Sequence, residues 1–111
     1  MSPPLSDEVK YISKESICRM FNESQYPSMI TEGQLMPKLL RNAHLKKPEE
    51  KREPYCTHSQ MIRYSDQAGH WVVVVHQYVR PNGTIGGSGR PDPKRLRIVN
   101  TVFTVDIQAC S

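Results

Sequence analysis

The stretch His70-Trp71-Val72-Val73-Val74-Val75-His76-Gln77-Tyr78-Val79-Arg80 decides the reading of this chain. Four consecutive valines beside a tryptophan suit a pleated, buried surface, because β-branched and aromatic side chains pack well there. The stretch reads as one long strand. Pro81 ends it, having no N–H to give a neighbouring strand. Asn82-Gly83 follows, the pair favoured in type I′ turns, where both central residues need positive φ. Thr84 and Ile85 begin a short return strand, which Gly86-Gly87-Ser88-Gly89 dissolves into a loop.

Strand-like patterning extends on both sides. Ser59 to Ser65 reads as a strand, separated from the long one by the turn residues Asp66-Gln67-Ala68-Gly69. Arg95 to Val99 and Thr101 to Ile107 read as two further strands, or as one strand kinked at Asn100.

Before Tyr55 the period is helical. Ser13 can cap a helix over 13–23, with Glu15 in the first turn and Ile17, Met20 and Phe21 on one face. Tyr26-Pro27 reads as a break. Thr31-Glu32-Gly33-Gln34 fits a capping box, and Leu35, Met36, Leu39 and Leu40 form a stripe, which together predict a second helix ending near His44. Pro37 is tolerable only in its first turn. Residues 46–54 hold four basic and three acidic residues with no apolar side chain beyond two prolines, so they read as a solvated connector.

Helices followed by strands argue an α+β fold: two N-terminal helices packed on a C-terminal antiparallel sheet of about four strands. At 111 residues the chain suits one domain. Its parts are a flexible lead over 1–10, a helical part over 11–45, the charged connector over 46–54 and a β part over 55–111.

No apolar run is long enough to cross a membrane, and Met1 to Glu8 shows no basic and apolar leader. Cys18, Cys56 and Cys110 are odd in number and widely spaced, which reads as reduced thiols in a cytoplasmic protein. Cys56-x-His58 is a lone pair of potential ligands, and Cys18, Cys110, His44 and His70 do not form the second knuckle a zinc site needs. No metal and no cofactor is expected. Glu49, Glu50 and Glu53 lie in the connector without an apolar shell and read as solvated.

The formal charge is +4 and the isoelectric point about 9.1. Three of those four net charges fall in residues 56–111, where Arg90, Lys94, Arg95 and Arg97 cluster within eight positions. Alternation divides the long strand. Trp71, Val73, Val75, Gln77 and Val79 share one face, and His70, Val72, Val74, His76, Tyr78 and Arg80 share the other. If the first set faces the helices, the opposite surface presents His76, Tyr78, Arg80, Arg95 and Arg97 together. A bulge would overturn that grouping.

Arginine forks bind phosphates, a tyrosine ring stacks on a base, and a histidine exchanges protons near neutral pH. The pattern therefore points to a small basic nucleic-acid-binding domain, RNA before DNA, with ribonuclease activity as its catalytic extension. His76 is the candidate acid or base. Tyr78, Arg80, Arg90, Lys94, Arg95 and Arg97 are the candidate anion-binding residues. The glycine-rich loop lacks the Gly-Lys-Ser/Thr ending of a P-loop, and no dinucleotide-binding glycine pattern is present. Arg90 stands where a nucleophile elbow requires glycine, so Ser88 is not read as a nucleophile. The alternative class is a non-enzymatic protein-interaction module, in which the apolar stripe or an exposed sheet edge meets a protein partner or a second copy of the chain.

Overall fold

The computed structural model describes residues 8–87 and 89–105. Residues 1–7 of the expected lead, Ser88, Asp106 and Ile107 of the expected last strand, and Cys110 lie outside the described residues.

The elements run β1 (Glu8–Ile12), α1 (Lys14–Glu23), α2 (Tyr26–Thr31), β2 (Met36–His44), a short 3-10 turn (Pro48–Lys51), β3 (His58–Ser65), β4 (Trp71–Val79), β5 (Asp92–Ile98) and β6 (Thr101–Val105). The six strands form one sheet in the order β1-β6-β5-β4-β3-β2. All neighbours are antiparallel except β1 and β6, which run parallel. The α+β class and the first helix agree with the sequence reading; the second helix lies at Tyr26–Thr31 and not over the segment expected to carry it. The sheet is larger than the expected four strands, and it is mixed.

The difference has local causes. Glu8 to Ile12 was expected in a lead and helical part, but Val9, Tyr11 and Ile12 suit a strand, and this segment adds to β6 from Glu8↔Thr101 to Ile12↔Val105. Residues 31–44 were expected to be helical. Instead Thr31 closes α2, and Gly33 (φ +74) ends it. There the Gly33 and Gln34 amides donate to the Ile30 and Met29 carbonyls. The residues read as a capping box are thus the C-terminal end of an earlier helix. Pro27 does not break that helix but begins it, in the first turn where no amide donor is needed.

Pro37 then falls in β2, the outermost strand, where a missing donor faces solvent. Of the apolar stripe only Leu35 is buried; Met36 and Leu39 are 61% and 52% exposed.

α1 forms as expected. The Ser16 amide donates to Ser13 Oγ at the N-cap, and Ile17 and Phe21 are buried. Its apolar face lies over β5 and β6, where Ile17 and Phe21 join Val73, Val75 and Leu96 in the core. Tyr26 Oη donates to the Arg97 carbonyl at 3.0 Å, fastening α2 to β5.

The turn after β4 differs from the type I′ expectation. Gly83 has φ +86, but Asn82 is not left-handed. The Gly83 amide donates to the Arg80 carbonyl at 2.8 Å, with Pro81 and Asn82 between them. Proline's fixed φ suits the first central position of a type I turn, and Gly83 takes the left-handed position that follows. Thr84 and Ile85 do return, but only as a single bridge from Ile85 to Val79. β5 and β6 are two strands joined at Val99-Asn100, not one kinked strand.

Candidate nucleic-acid interface

The register sorts side chains between the two faces. Val73 pairs with Leu96, and Leu96 with Phe103. Val75 pairs with Ile62. These belong to the face that the helices cover. The opposite face, which the apolar side of α1 does not cover, is the open one; at its Arg80 end residues 46–54 reach it through Glu53.

Across that open face runs one continuous row: Lys38, Arg63, Val74, Arg95, Thr104 and Tyr11, each the register partner of the next. It touches all six strands in turn, so at roughly 4.8 Å per strand it spans about 24 Å. Like charges set directly opposite, as Lys38 and Arg63 are, destabilise a sheet. Val74 and Thr104 are buried. Long basic stems lying along a sheet bury such neighbours while keeping their charged ends in water.

A neighbouring feature corrects the parity argument. Tyr64 pairs with Val73 but Ser65 pairs with Trp71, so β4 carries a bulge at Val72. Val72 joins the helix-side core, and Trp71 leaves the face of Val73. The Arg97 guanidinium lies over the Trp71 ring, 4.5 Å from its centroid. Trp71, assigned to the core face by simple alternation, thus belongs to the open surface.

A second row, Arg41, Met61, His76 and Asp92, crosses β2 to β5 beside the first. There a cleft of about 450 Å³ is lined by Lys14, Lys51, Glu53, His76, Tyr78, Gly87, Asp92 and Lys94. His76 is half-buried, its Nε2 is 2.7 Å from Ser59 Oγ, and its ring meets Tyr78 edge-on at 4.8 Å. Burial, first, and then the positive charge of Lys94 hold its pKa below the ordinary imidazole value. Arg41 and Lys14 act in the same direction, and Asp92 opposes them.

His76 is therefore expected to be neutral at pH 7 and to take up its proton at a lower pH than in the unfolded chain. The unfolded state binds that proton first on acidification. The stability tied to neutral His76 is complete above the unfolded pKa and is lost as pH falls through and below it. Denaturant titrations between pH 7.5 and 5 should show stability declining, and less steeply in His76→Gln. An imidazole NMR titration with an ordinary or raised midpoint would contradict this.

Glu53 corrects the reading of 46–54 as a solvated connector. After the 3-10 turn, Arg52 takes a left-handed conformation and the Glu53 amide donates to the Pro48 carbonyl. Its carboxylate is buried, accepting from Arg80 Nε at 2.7 Å, from Arg80 Nη2 at 3.3 Å and from the Gly87 amide at 2.7 Å. The Arg80 fork, followed by the Gly87 amide, holds the carboxyl below its usual range.

The candidate residues thus separate. His76, Tyr78 and Lys94 meet in the cleft. Arg95 and Arg97 belong to the open face. Arg80 is engaged by Glu53. Arg90 lines a different groove, with Phe21, Pro27 and Ile30.

Sequence reasoning missed Lys38, Arg41 and Arg63 on the face, and Lys14, Lys51, Glu53 and Asp92 in the cleft. Arg63 was legible, since it alternates with Ile62 and Tyr64 within a recognised strand. Lys38 and Arg41 were hidden by the helical reading of 31–44. The Cys18 thiol is pushed up chiefly by burial, which disfavours a reactive thiolate. Among the described residues, no three His, Cys, Asp or Glu side chains converge to hold a metal ion. No helix among them is long and apolar enough to cross a membrane. No protein-family model, curated protein or solved structure matches this chain.

Proposed function

We propose that the chain binds single-stranded RNA across the open face of its sheet. The supporting observation is the row from Lys38 through Arg63 and Arg95 to Tyr11. It combines cations for a phosphate backbone with an aromatic ring at one end. Tyr11 is 69% exposed, and the Arg97–Trp71 pair supplies a second stacking surface. Bases stack on such groups without strong sequence preference, while phosphates meet the cations.

Affinity for a short single-stranded RNA should fall between 50 and 200 mM salt. Each face cation neutralised should reduce the slope of log affinity against log salt by roughly 0.7. Tyr11→Ala removes an exposed ring without touching the core. It should weaken binding by about 1–3 kcal/mol if a base stacks there, with unfolding unchanged within about 0.5 kcal/mol. Fluorescence anisotropy provides the measurement; absent or salt-insensitive binding overturns the proposal.

Cleavage is a second reading, favoured by neutral His76 beside the cleft lysines. His76 would take the proton of a 2′-hydroxyl as its oxygen bonds to phosphorus. The bond to the 5′ oxygen would break, and water would protonate that leaving oxygen. The products are a 2′,3′-cyclic phosphate and a 5′-hydroxyl. His76→Ala should abolish cleavage while retaining the native circular-dichroism spectrum, and cleavage that survives the substitution refutes this role.

A further inference from the structure

The cleft has a charge balance of its own. Glu53 is already satisfied by Arg80 and the Gly87 amide. Among the described residues of the lining, that leaves Lys14, Lys51 and Lys94 with one further carboxylate, Asp92. The three ammonium groups come from separate parts of the chain: the start of α1, the 3-10 turn and β5. Their mutual repulsion is unfavourable without an anion, and the local excess is two positive charges.

We propose that this cleft is a pocket for a terminal phosphate of the bound RNA strand. An internal phosphodiester carries one negative charge, whereas a terminal monoester approaches two near neutral pH, because its second pKa is about 6. The monoester therefore matches the excess. The placement agrees: the Arg41–Met61–His76–Asp92 row lies on the open face beside the first row, and its His76 and Asp92 line the cleft together with Tyr78 and Gly87. A strand lying along the face passes within reach of this cleft. Neutral His76 adds a donor or acceptor without adding charge.

The proposal takes its source of phosphate from the RNA-binding reading. The test separates the two. One oligonucleotide is prepared with a 5′-phosphate, with a 3′-phosphate and with hydroxyl ends, and each form is titrated into the full chain. One phosphorylated form should bind roughly tenfold more tightly than the hydroxyl form, as expected for added charge-assisted hydrogen bonds. Lys14→Ala/Lys51→Ala and Lys94→Ala should each reduce that ratio towards one.

Inorganic phosphate, titrated alone while the His76 imidazole resonances are followed, should shift them in the native chain and not in Lys94→Ala. Equal affinity for all three oligonucleotides, with no phosphate-induced shift, overturns the pocket and leaves binding across the face intact. A phosphate-induced shift without RNA binding supports the pocket and overturns RNA as its source. Cleavage of the hydroxyl-ended form, lost in His76→Ala, places an internal diester in the cleft and overturns end recognition.

Discussion

Leu96→Ala is expected to destabilise the fold by about 2–5 kcal/mol, a typical cost of deleting buried methyl groups where the surroundings only partly collapse. Leu96 is fully buried in β5, flanked by Val73 and Phe103 in register, with α1 above that strand. The position cannot relax easily, because β4 and β6 hold both flanks through ladder hydrogen bonds. At the upper end, the loss is of the same order as the whole stability of a small domain. A urea titration should show a much lower midpoint with a similar slope. Ile98→Ala, two residues along at an exposed position of the same strand, should shift the midpoint far less. Equal effects would mean that α1 does not pack over Leu96.

The second large effect is expected at Gly86. A Cβ there would lie 2.5 Å from Glu53 Oε1 and 2.7 Å from Glu53 Cδ. A flexible surface carboxylate could swing aside. This one is buried and tied to both Arg80 and the Gly87 amide, so the methyl group must displace the loop or break the ion pair. Overpacking of this kind costs roughly 1–3 kcal/mol. The measurement is a double-mutant cycle. Gly86→Ala should cost clearly less in a Glu53→Ala background, because the obstructing group is gone. Additive effects would rule out the clash as the cause. The same buried carboxylate predicts an acid-sensitive step. Its folded pKa is lowered, so its contribution is present above the unfolded carboxyl range and is lost as pH falls through the folded value. That loss sets in at a lower pH than the one for His76, because an unfolded carboxyl titrates below an unfolded imidazole.

The two RNA-directed tests and these stability tests address different surfaces. Leu96 belongs to the helix-covered core, whereas Tyr11 and the row beside it belong to the open face. Loss of RNA binding in Tyr11→Ala therefore cannot be attributed to a collapsed core.

By itself, the sequence determined what short-range physics controls. The valine run specified β4, because four β-branched residues in succession strongly favour extended backbone. Ser13 with Ile17, Met20 and Phe21 specified α1, because cap and stripe fall within one helix. Pro81, Asn82 and Gly83 specified a turn, although not its type. Alternation in β5 was enough to set Arg95 and Arg97 apart from Leu96.

Tertiary structure alone decided the rest. The stripe from Leu35 to Leu40 fits a helix locally, and it becomes an edge strand because β3 offers a ladder and the outer edge tolerates Pro37. Glu8 to Ile12 is a strand only because β6 is there to pair with it. The bulge at Val72 reverses Trp71, since one extra residue exchanges the two faces of a strand. Glu53 looks solvated until Arg80, 27 positions later, closes on it. In each case the deciding partner is distant in sequence, and a local pattern carries no information about which distant group will be near.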